Sequence, residues 1–190
     1  MTGFRPRYVK DYFWQARIRK IFIWILQIAI AVFLAYICVS SLGQRVVVSD
    51  DSMEPTLSSG DKILMNTAAY KLSSPSRGDI IVFRTGSEEE ETLQIKRVIG
   101  LPGETIQIRD GQIYIDGTVY EEENNFETIV NPGTAEETVE LGTAEYFVLG
   151  DNRNSSEDSR YPNIGLVQRE NIIGKLWFRY SPFDQFGFMG

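Results

Sequence analysis

An almost unbroken apolar stretch from Ile21 to Val39 limits what this chain can fold into more than any other feature of its sequence. Eighteen of the nineteen residues are apolar, and only Gln27 is polar. A helix of this length, rising about 1.5 Å per residue, spans roughly 28 Å, close to the thickness of about 30 Å of a bilayer's hydrocarbon core. The stretch therefore predicts one transmembrane anchor, residues 21–41.

The charges on the two sides of this stretch differ in sign. Residues 1–20 carry six basic side chains and one acidic one, whereas residues 40–190 carry 13 basic and 25 acidic side chains, a net charge of −12. Basic residues accumulate on the cytoplasmic side of membrane spans. We therefore expect a single-pass protein of the cell membrane, with a basic cytoplasmic segment at 1–20, the anchor at 21–41 and an extracytoplasmic domain at 42–190.

Two other interpretations of the apolar stretch fit less well. A cleaved signal peptide has an apolar region of about 7–15 residues followed by a small-residue cleavage site. This stretch is longer and is followed only by Val39-Ser40-Ser41. A buried helix of a soluble protein is rarely so uniformly apolar. An uncleaved anchor is the better interpretation.

The rest of the chain is patterned for β-strands. Short β-branched or alternating runs predict strands at 44–49, 62–66, 80–84, 93–100, 105–109, 112–115, 145–149 and 172–180. Asp110-Gly111 between two such runs is a strong hairpin signal. The acidic runs Glu88–Glu91 and Glu121–Glu123 are interpreted as solvated turns. The pattern predicts an all-β sandwich or barrel, with residues 105–142 as a hairpin and small insertion.

Composition removes most of the usual catalytic groups. The chain has no histidine and one cysteine, which excludes a Ser-His-Asp triad, histidine-ligated metals and a disulfide scaffold. Any general base is then Asp, Glu, Lys, Tyr or Cys. A formal charge of −7 argues against nucleic acid as a partner. We expect no cofactor and no metal.

Two segments together suggest nucleophilic chemistry. Ser52 lies in the turn-rich sequence from Ser49 to Leu57, and Lys96 lies in the middle of a predicted strand. Strand alternation sends Lys96 and Arg97 to opposite faces, so one of the two is expected to face inward. Burial lowers the pKa of a lysine, and a neutral lysine can act as the base for a serine nucleophile. Taken separately, a turn-forming serine and a solvent-facing lysine remain the alternatives.

A third segment, Gly150 to Arg160, is rich in Asp, Asn, Ser and Arg directly after an apolar strand. It predicts a tightly hydrogen-bonded loop, in which Asp158 and Arg160 could pair. Its Asp-x-Asn-x-Ser spacing weakly resembles a calcium-binding loop, but the glycine and glutamate that such a loop requires are missing. We therefore discount calcium.

Five segments, in this order, resemble the conserved boxes of bacterial type I signal peptidases, the membrane-bound Ser/Lys endopeptidases that cleave signal peptides from exported preproteins. They are SMEPTL (52–57), GDKILMN (60–66), RGDIIVF (77–83), KRVIGLPGE (96–104) and GDNRNSSEDSR (150–160). The resemblance runs from the anchor to about Phe183, and the single span and short insertion are similar to Gram-positive members. It implies a signal-peptidase or LexA-like β-fold.

The resemblance also implies roles for individual residues. Ser52 is the expected nucleophile and Lys96 the expected general base, acting through an acyl-enzyme. Ser156 is expected to orient the lysine, and the supporting residues are Asp158, Arg160, Asp151 and Arg97. The Ser52 N–H would donate to the oxyanion. The second donor of some family members is a serine two positions earlier, where this chain has Asp50, which cannot donate when ionised.

The partners implied by the resemblance are preproteins with an A-x-A pattern before the cleavage site, the lipid bilayer and a nearby secretion translocon. The substrate is expected to bind extended, as an added strand.

Two rival functions remain. A self-cleaving repressor of the LexA type shares the Ser/Lys chemistry, but it needs a DNA-binding domain where this chain has its apolar stretch. A membrane-anchored β module that binds a surface partner accounts for the anchor and the acidic exterior. It does not account for the combination of serine, lysine and polar loop.

Overall fold

A long helix, α1, contains the apolar stretch and extends from Tyr8 to Leu42. The computed structural model describes residues 8–86, 91–122 and 124–189, so part of the predicted 1–20 segment and part of both acidic runs lie outside the described residues. Between Arg17 and Ile37 the mean hydropathy is 2.2 and every side chain is exposed. A helix that is apolar on all sides, long enough and unburied has the composition and length of a membrane span.

The chain divides into two compact units, one ending at Ser41 and the other beginning at Leu42. Within the described residues the second unit is built from antiparallel strands. They are β1 (Gln44–Val47), β2 (Lys62–Asn66), β3 (Ile80–Thr85), β4 (Thr92–Gly100), β5 (Thr105–Arg109), β6 (Gln112–Ile115), β7 (Thr118–Val119), β8 (Val139–Glu140), β9 (Glu145–Leu149), β10 (Val167–Gln168), β11 (Ile172–Ser181) and β12 (Gly187–Phe188). A short helix, α2, covers Ala69–Leu72, and 3₁₀ turns cover Gly133–Glu136, Arg169–Asn171 and Phe183–Gln185.

These strands form two sheets. The larger has the order β1-β2-β11-β3-β4-β9-β10, with β12 pairing to β11, and the smaller has the order β7-β6-β5-β8. The long strand β11 therefore lies between β2 and β3, although it is formed by residues late in the chain. Strand β4 is interior, paired with β3 on one side and with β9 on the other.

The larger sheet is buried on both faces near its centre. On β3, Ile80 and Val82 pack into one apolar cluster, whereas Ile81 and Phe83 pack into another. This explains why β3 is continuously apolar rather than alternating. A third cluster joins the two sheets, since Ile99 of β4 and Phe147 of β9 pack with Ile106 of β5.

The hairpin turns follow from residues that tolerate positive φ. Asp110 and Gly111 have φ of 53° and 77°, and Asp116 and Gly117 have φ of 49° and 76°. Positive φ at both central residues is the requirement of a two-residue type I′ hairpin. The prediction of an all-β domain behind an N-terminal apolar helix is confirmed.

Candidate active site

Ser52 lies on a tight turn after β1, and buried neighbours fix the position of that turn. Met53 and Leu57 are fully buried, and the Leu57 N–H donates to the Met53 carbonyl at 2.9 Å. At the base of the turn, the Val48 N–H donates to the Asp61 carbonyl at 3.0 Å. Ser52 itself is 7% exposed. Its hydroxyl is therefore held by packed backbone rather than by a mobile loop tip.

Lys96 reaches Ser52 from the middle of β4. Its side chain is buried, with 1% of the residue exposed, and its Nζ lies 2.6 Å from Ser52 Oγ. The structure thus brings together Ser52 and Lys96, the residues that were predicted to be the nucleophile and the base.

Burial also sets the protonation of Lys96. Desolvation lowers its pKa, and the negative charges of Asp50, Asp158 and Glu157 offset only part of this effect. A lysine with a lowered pKa is neutral in a larger fraction near physiological pH, and the neutral amine is the form that accepts a proton.

Arg97 is buried as well, whereas the sequence predicted that one of the two adjacent cations would face inward. Its guanidinium makes two bonds to the Asp151 carboxylate, at 2.7 and 2.6 Å, and a third to the Gly78 carbonyl at 2.8 Å. Strand β4 is interior and the loop carrying Asp151 contacts it, so the second face is covered too. The burial is tolerated because charged hydrogen bonds satisfy the guanidinium.

The loop at 150–160 is fastened directly to the Ser52 turn. The Asn152 N–H donates to the Ser52 carbonyl at 3.0 Å, and Asn152 Nδ2 donates to the Asp51 carbonyl at 3.1 Å. A Cβ added to Gly150 would lie 2.6 Å from the Ser52 carbonyl oxygen. Only glycine permits this approach, which explains a glycine at the start of the loop.

Asp158 and Arg160 form a buried ion pair inside this loop, as the sequence suggested they could. Arg160 donates to both Asp158 oxygens at 2.8 Å, and the two side chains are 1% and 0% exposed. Arg160 also donates to the Arg153 carbonyl at 2.7 Å, and Asp158 accepts the Gly150 N–H at 3.1 Å. The pair therefore ties the two ends of the loop together.

Ser156 lies in the same loop, and a Cβ on Gly150 would meet its Oγ at 2.1 Å. Its hydroxyl donates to the Glu157 carbonyl at 3.4 Å, whereas the resemblance implied a bond to Lys96. The predicted orientation of the lysine by Ser156 stays a prediction.

Sequence reasoning missed a second layer of contacts behind the loop. Arg153 is 2% exposed, makes two 2.5 Å bonds to Glu122 and lies 4.4 Å from the ring centroid of Phe126. The interpretation of the 121–123 run as a solvated turn is therefore wrong for Glu122. Glu122 lies 31 residues before Arg153 in the sequence, so no local pattern predicted this pair. Only the density of arginines in the loop indicated that their guanidinium groups needed partners.

Asp50 lies next to Ser52 and is hydrogen-bonded to its backbone. Its Oδ1 accepts the Ser52 N–H at 2.9 Å, the same N–H predicted to donate to the oxyanion. Burial acts to raise the pKa of Asp50, but hydrogen bonding from Ser52 and the charge of Lys96 outweigh it, so the pKa lies below its usual value. Asp50 is therefore an ionised acceptor, not a second donor.

A cavity of about 240 Å³ opens beside Asp50. Its apolar wall consists of Val46, Val47, Val82, Leu93 and Ile95, and its polar rim consists of Arg45, Ser49 and Asp50. Two larger cavities, of about 410 and 400 Å³, are not lined by Ser52 or Lys96. Ser52 and Lys96 do not line the smaller cavity either, but Ser49 and Asp50, which closely precede Ser52, lie on its rim.

The family comparison and the comparison with curated proteins agree with one another. The family described as "Signal peptidase, peptidase S26" matches residues 21–181. Signal peptidase IB of Staphylococcus aureus is 28% identical over 183 residues, 88% of this chain and 93% of that protein. A probable signal peptidase I-2 of Synechocystis sp. is 34% identical over 163 residues, 84% of this chain and 72% of its own. A crystal structure of a signal peptidase I from Enterococcus faecalis is 34% identical, covers 55% of this chain and 97% of its own, and has a TM-score of 0.42.

Proposed function

Because the chain belongs to the signal peptidase family, peptidase S26, and is thus a peptidase, we propose that it removes signal peptides from preproteins as a membrane-anchored serine endopeptidase. In this proposal Ser52 is the nucleophile and Lys96 is the general base. The observation that carries the proposal is the 2.6 Å contact between Lys96 Nζ and Ser52 Oγ, made by a lysine that is 1% exposed.

The first half of the reaction is acylation. Neutral Lys96 takes the hydroxyl proton of Ser52 as Oγ bonds to the carbonyl carbon of the scissile peptide. The Ser52 N–H donates to the oxyanion that forms. The Lys96 ammonium then gives the proton to the leaving amine as the C–N bond breaks. The mature protein departs and the signal peptide stays as an ester on Ser52.

The second half is hydrolysis of that ester. Lys96, neutral again, takes a proton from a water molecule whose oxygen attacks the ester carbonyl. The C–Oγ bond breaks, the proton returns to Ser52, and the signal peptide leaves with a new carboxylate. One lysine thus serves both half-reactions, which is consistent with a chain that has no histidine.

The supporting residues act by keeping Ser52 and Lys96 in register. In this proposal Ser156 orients the lysine, the Arg97–Asp151 pair links β4 to the loop, and the Asp158–Arg160 pair keeps the loop closed. The bonds from Asn152 to the Ser52 turn support this assignment, because they connect the loop to the nucleophile itself. Misplacement of reacting groups by about 1 Å costs roughly a hundredfold in rate.

The 240 Å³ cavity supports a preference for small residues before the cleavage site. Its wall is apolar, and its volume of about 240 Å³ is below the usual size of a ligand pocket, roughly 300–1,000 Å³. We propose that the cavity receives a small side chain of the A-x-A pattern, and that the substrate lies extended along an exposed strand.

The membrane arrangement is also a proposal. We assign residues 1–20 to the cytoplasm, 21–41 to the bilayer and 42–190 to the extracytoplasmic side, near the translocon that delivers preproteins. The unburied apolar window at 17–37 supports the membrane span, and the charge asymmetry on its two sides supports the orientation.

The test uses the full chain in detergent with a preprotein that carries A-x-A before a defined junction. Mass analysis of the products should show cleavage at that junction. We expect Ser52→Ala and Lys96→Ala each to lower kcat/KM by at least about 10³-fold, as removal of a nucleophile or its base does in serine proteases.

Two matched controls separate chemistry from surface effects. Ser74 and Lys62 are exposed, so Ser74→Ala and Lys62→Ala should keep full activity. Thermal unfolding should show that all four variants fold. Near-normal cleavage by folded Ser52→Ala or Lys96→Ala would refute the dyad. Absence of cleavage by the unsubstituted protein would favour a non-catalytic binding module.

A further inference from the structure

Asp50 makes a contact that the proposed reaction requires to be broken. Its carboxylate accepts the Ser52 N–H at 2.9 Å, and that N–H is the donor available to the oxyanion. An oxyanion and an ionised carboxylate are both negative acceptors, so they compete for the same donor. Asp50 thus occupies the donor that the oxyanion would use.

The carboxylate is also placed so that it can leave. Asp50 is exposed, unlike Ser52 and Lys96, and it lines the 240 Å³ cavity proposed to receive the substrate. Arg45 of β1 lines the same cavity and offers a cation for the displaced carboxylate. A peptide that fills the cavity would therefore contact the Asp50 side chain, and Arg45 could pair with the carboxylate after it has moved.

We infer that Asp50 is a positioning residue that couples substrate binding to activation of the base: its carboxylate holds the Ser52 N–H in the resting enzyme, and the bound peptide displaces it before acylation. The inference rests on the proposed function, since it presupposes attack by Ser52. Displacement makes two changes at once. The N–H is freed for the oxyanion, and a negative charge moves away from Lys96.

The second change alters the basicity of Lys96. The carboxylates facing Lys96 are those of Asp50, Asp158 and Glu157, and Asp50 has the largest charge effect of the three. Asp158 is paired with Arg160, and Glu157 is exposed and bonded to Asn163. A nearby negative charge raises the pKa of a lysine. Moving Asp50 away therefore lowers the pKa of Lys96 and increases its neutral fraction.

This coupling is a specificity device. A peptide that binds weakly, or that leaves the cavity empty, meets a partly protonated base and an occupied oxyanion donor. A peptide that fills the cavity uses part of its binding energy to remove both obstacles, which raises discrimination in the chemical step.

The test compares the pH dependence of two kinetic constants for the full chain cleaving the A-x-A preprotein. The acid limb of kcat/KM reports the free enzyme, and the acid limb of kcat reports the enzyme–substrate complex. We expect the unsubstituted protein to show the kcat/KM limb at higher pH than the kcat limb. In Asp50→Asn and in Asp50→Ser, which keep an acceptor oxygen but lose the charge, the two limbs should converge.

The expected size is a shift of the kcat/KM limb to lower pH by about half to one unit, hence a rise of about three- to tenfold in kcat/KM on the acid side. Asp51→Asn removes the same charge from the adjacent exposed residue and should move the limb much less. Thermal unfolding should show both Asp50 variants folded, since each retains an acceptor for the turn.

Three results would overturn the inference. One is limbs that coincide in the unsubstituted protein. Another is folded Asp50 variants whose kcat/KM limb stays where it was. The third is loss of the unfolding transition in both variants, since a carboxylate that holds the fold is not displaceable. The activity of Ser52→Ala, measured in the same assay, distinguishes failure of the Asp50 inference from failure of the proposed function. If it is inactive while the limbs do not move, the Asp50 inference fails and the proposed function stands. If it is active, the proposed function fails.

Discussion

Adding one methyl group at position 150 should disable the enzyme without touching any titratable group. The Cβ of Gly150→Ala would lie 2.1 Å from Ser156 Oγ, 2.4 Å from Ser156 Cβ and 2.6 Å from the Ser52 carbonyl oxygen. Contacts below 3.0 Å are essentially never seen for real Cβ atoms. The Ser156 hydroxyl could rotate away, but the Ser52 carbonyl belongs to the backbone of the proposed nucleophile, so Ser52 must shift with it.

The distances set the size of the effect. Restoring an ordinary contact of 3.4 Å from 2.6 Å requires a displacement of about 0.8 Å between the Ser52 turn and the loop at 150–160. Misplacement of this order costs roughly a hundredfold in rate. Overpacking costs typically about 1–3 kcal/mol, which for a domain of this size lowers Tm by roughly 2–12 °C.

The assay measures kcat/KM on the A-x-A preprotein together with the thermal unfolding midpoint. The control is Gly187→Ala, because a Cβ at Gly187 meets nothing within 4 Å, so activity and Tm should stay unchanged. Activity of Gly150→Ala within about twofold of the unsubstituted protein, at unchanged Tm, would refute the reasoning. It would mean that the loop and the turn are not held as closely as the geometry requires.

Two further predictions concern charge. Asp151→Ala leaves the buried Arg97 guanidinium (6% exposed) without its carboxylate and should lower the free energy of unfolding by about 3–5 kcal/mol in urea. Glu91→Gln, which removes an exposed ion pair with Arg84, should change it by less than about 1 kcal/mol, and equal losses would contradict the difference in burial. The pKa of Lys96 is lower in the folded state than its unfolded value of about 10.5. Between these two pKa values the unfolded state binds one more proton than the folded state, so the contribution of Lys96 to the free energy of unfolding rises with pH. Lys96→Met should remove that rise from the dependence of unfolding free energy on pH, and an identical dependence in both proteins would show that Lys96 is not desolvated.

Local pattern was enough to predict most strands. Strands β2, β5, β6 and β9 have the predicted bounds, because each is a short apolar or alternating run next to turn residues, and Asp110-Gly111 adopts the backbone that its hairpin requires. The predicted strand at 44–49 ends at Val47. Beyond it, Val48 already bonds to Asp61 in the turn that carries Ser52.

The sequence predicted which residues come together in the candidate site, but not their detailed contacts. A serine, a lysine and a polar loop in a chain without histidine indicated the chemistry, and the resemblance assigned the positions. The burial of both Lys96 and Arg97 depends on the neighbours of β4 across the sheet, and alternation along one strand carries no information about them. The contacts of Arg153 with Glu122, and of Asp50 with the Ser52 N–H, depend on loop conformation, which sequence periodicity does not encode.

The position of β11 determines when during synthesis the larger sheet can be completed. This strand joins β2 to β3 in the larger sheet, yet it comprises residues 172–181, so it leaves the ribosome after every residue of the candidate site. Until it arrives, β2 and β3 lack their shared partner, and the strand that bears Lys96 has no completed sheet to support it. Such non-local pairing is slow to form and has to wait for the distant segment. A nascent chain that already contains Ser52, Lys96 and the loop at 150–160 therefore still lacks the strand that joins β2 to β3. The larger sheet, which carries Lys96, is therefore completed only after residues 172–181 have been made.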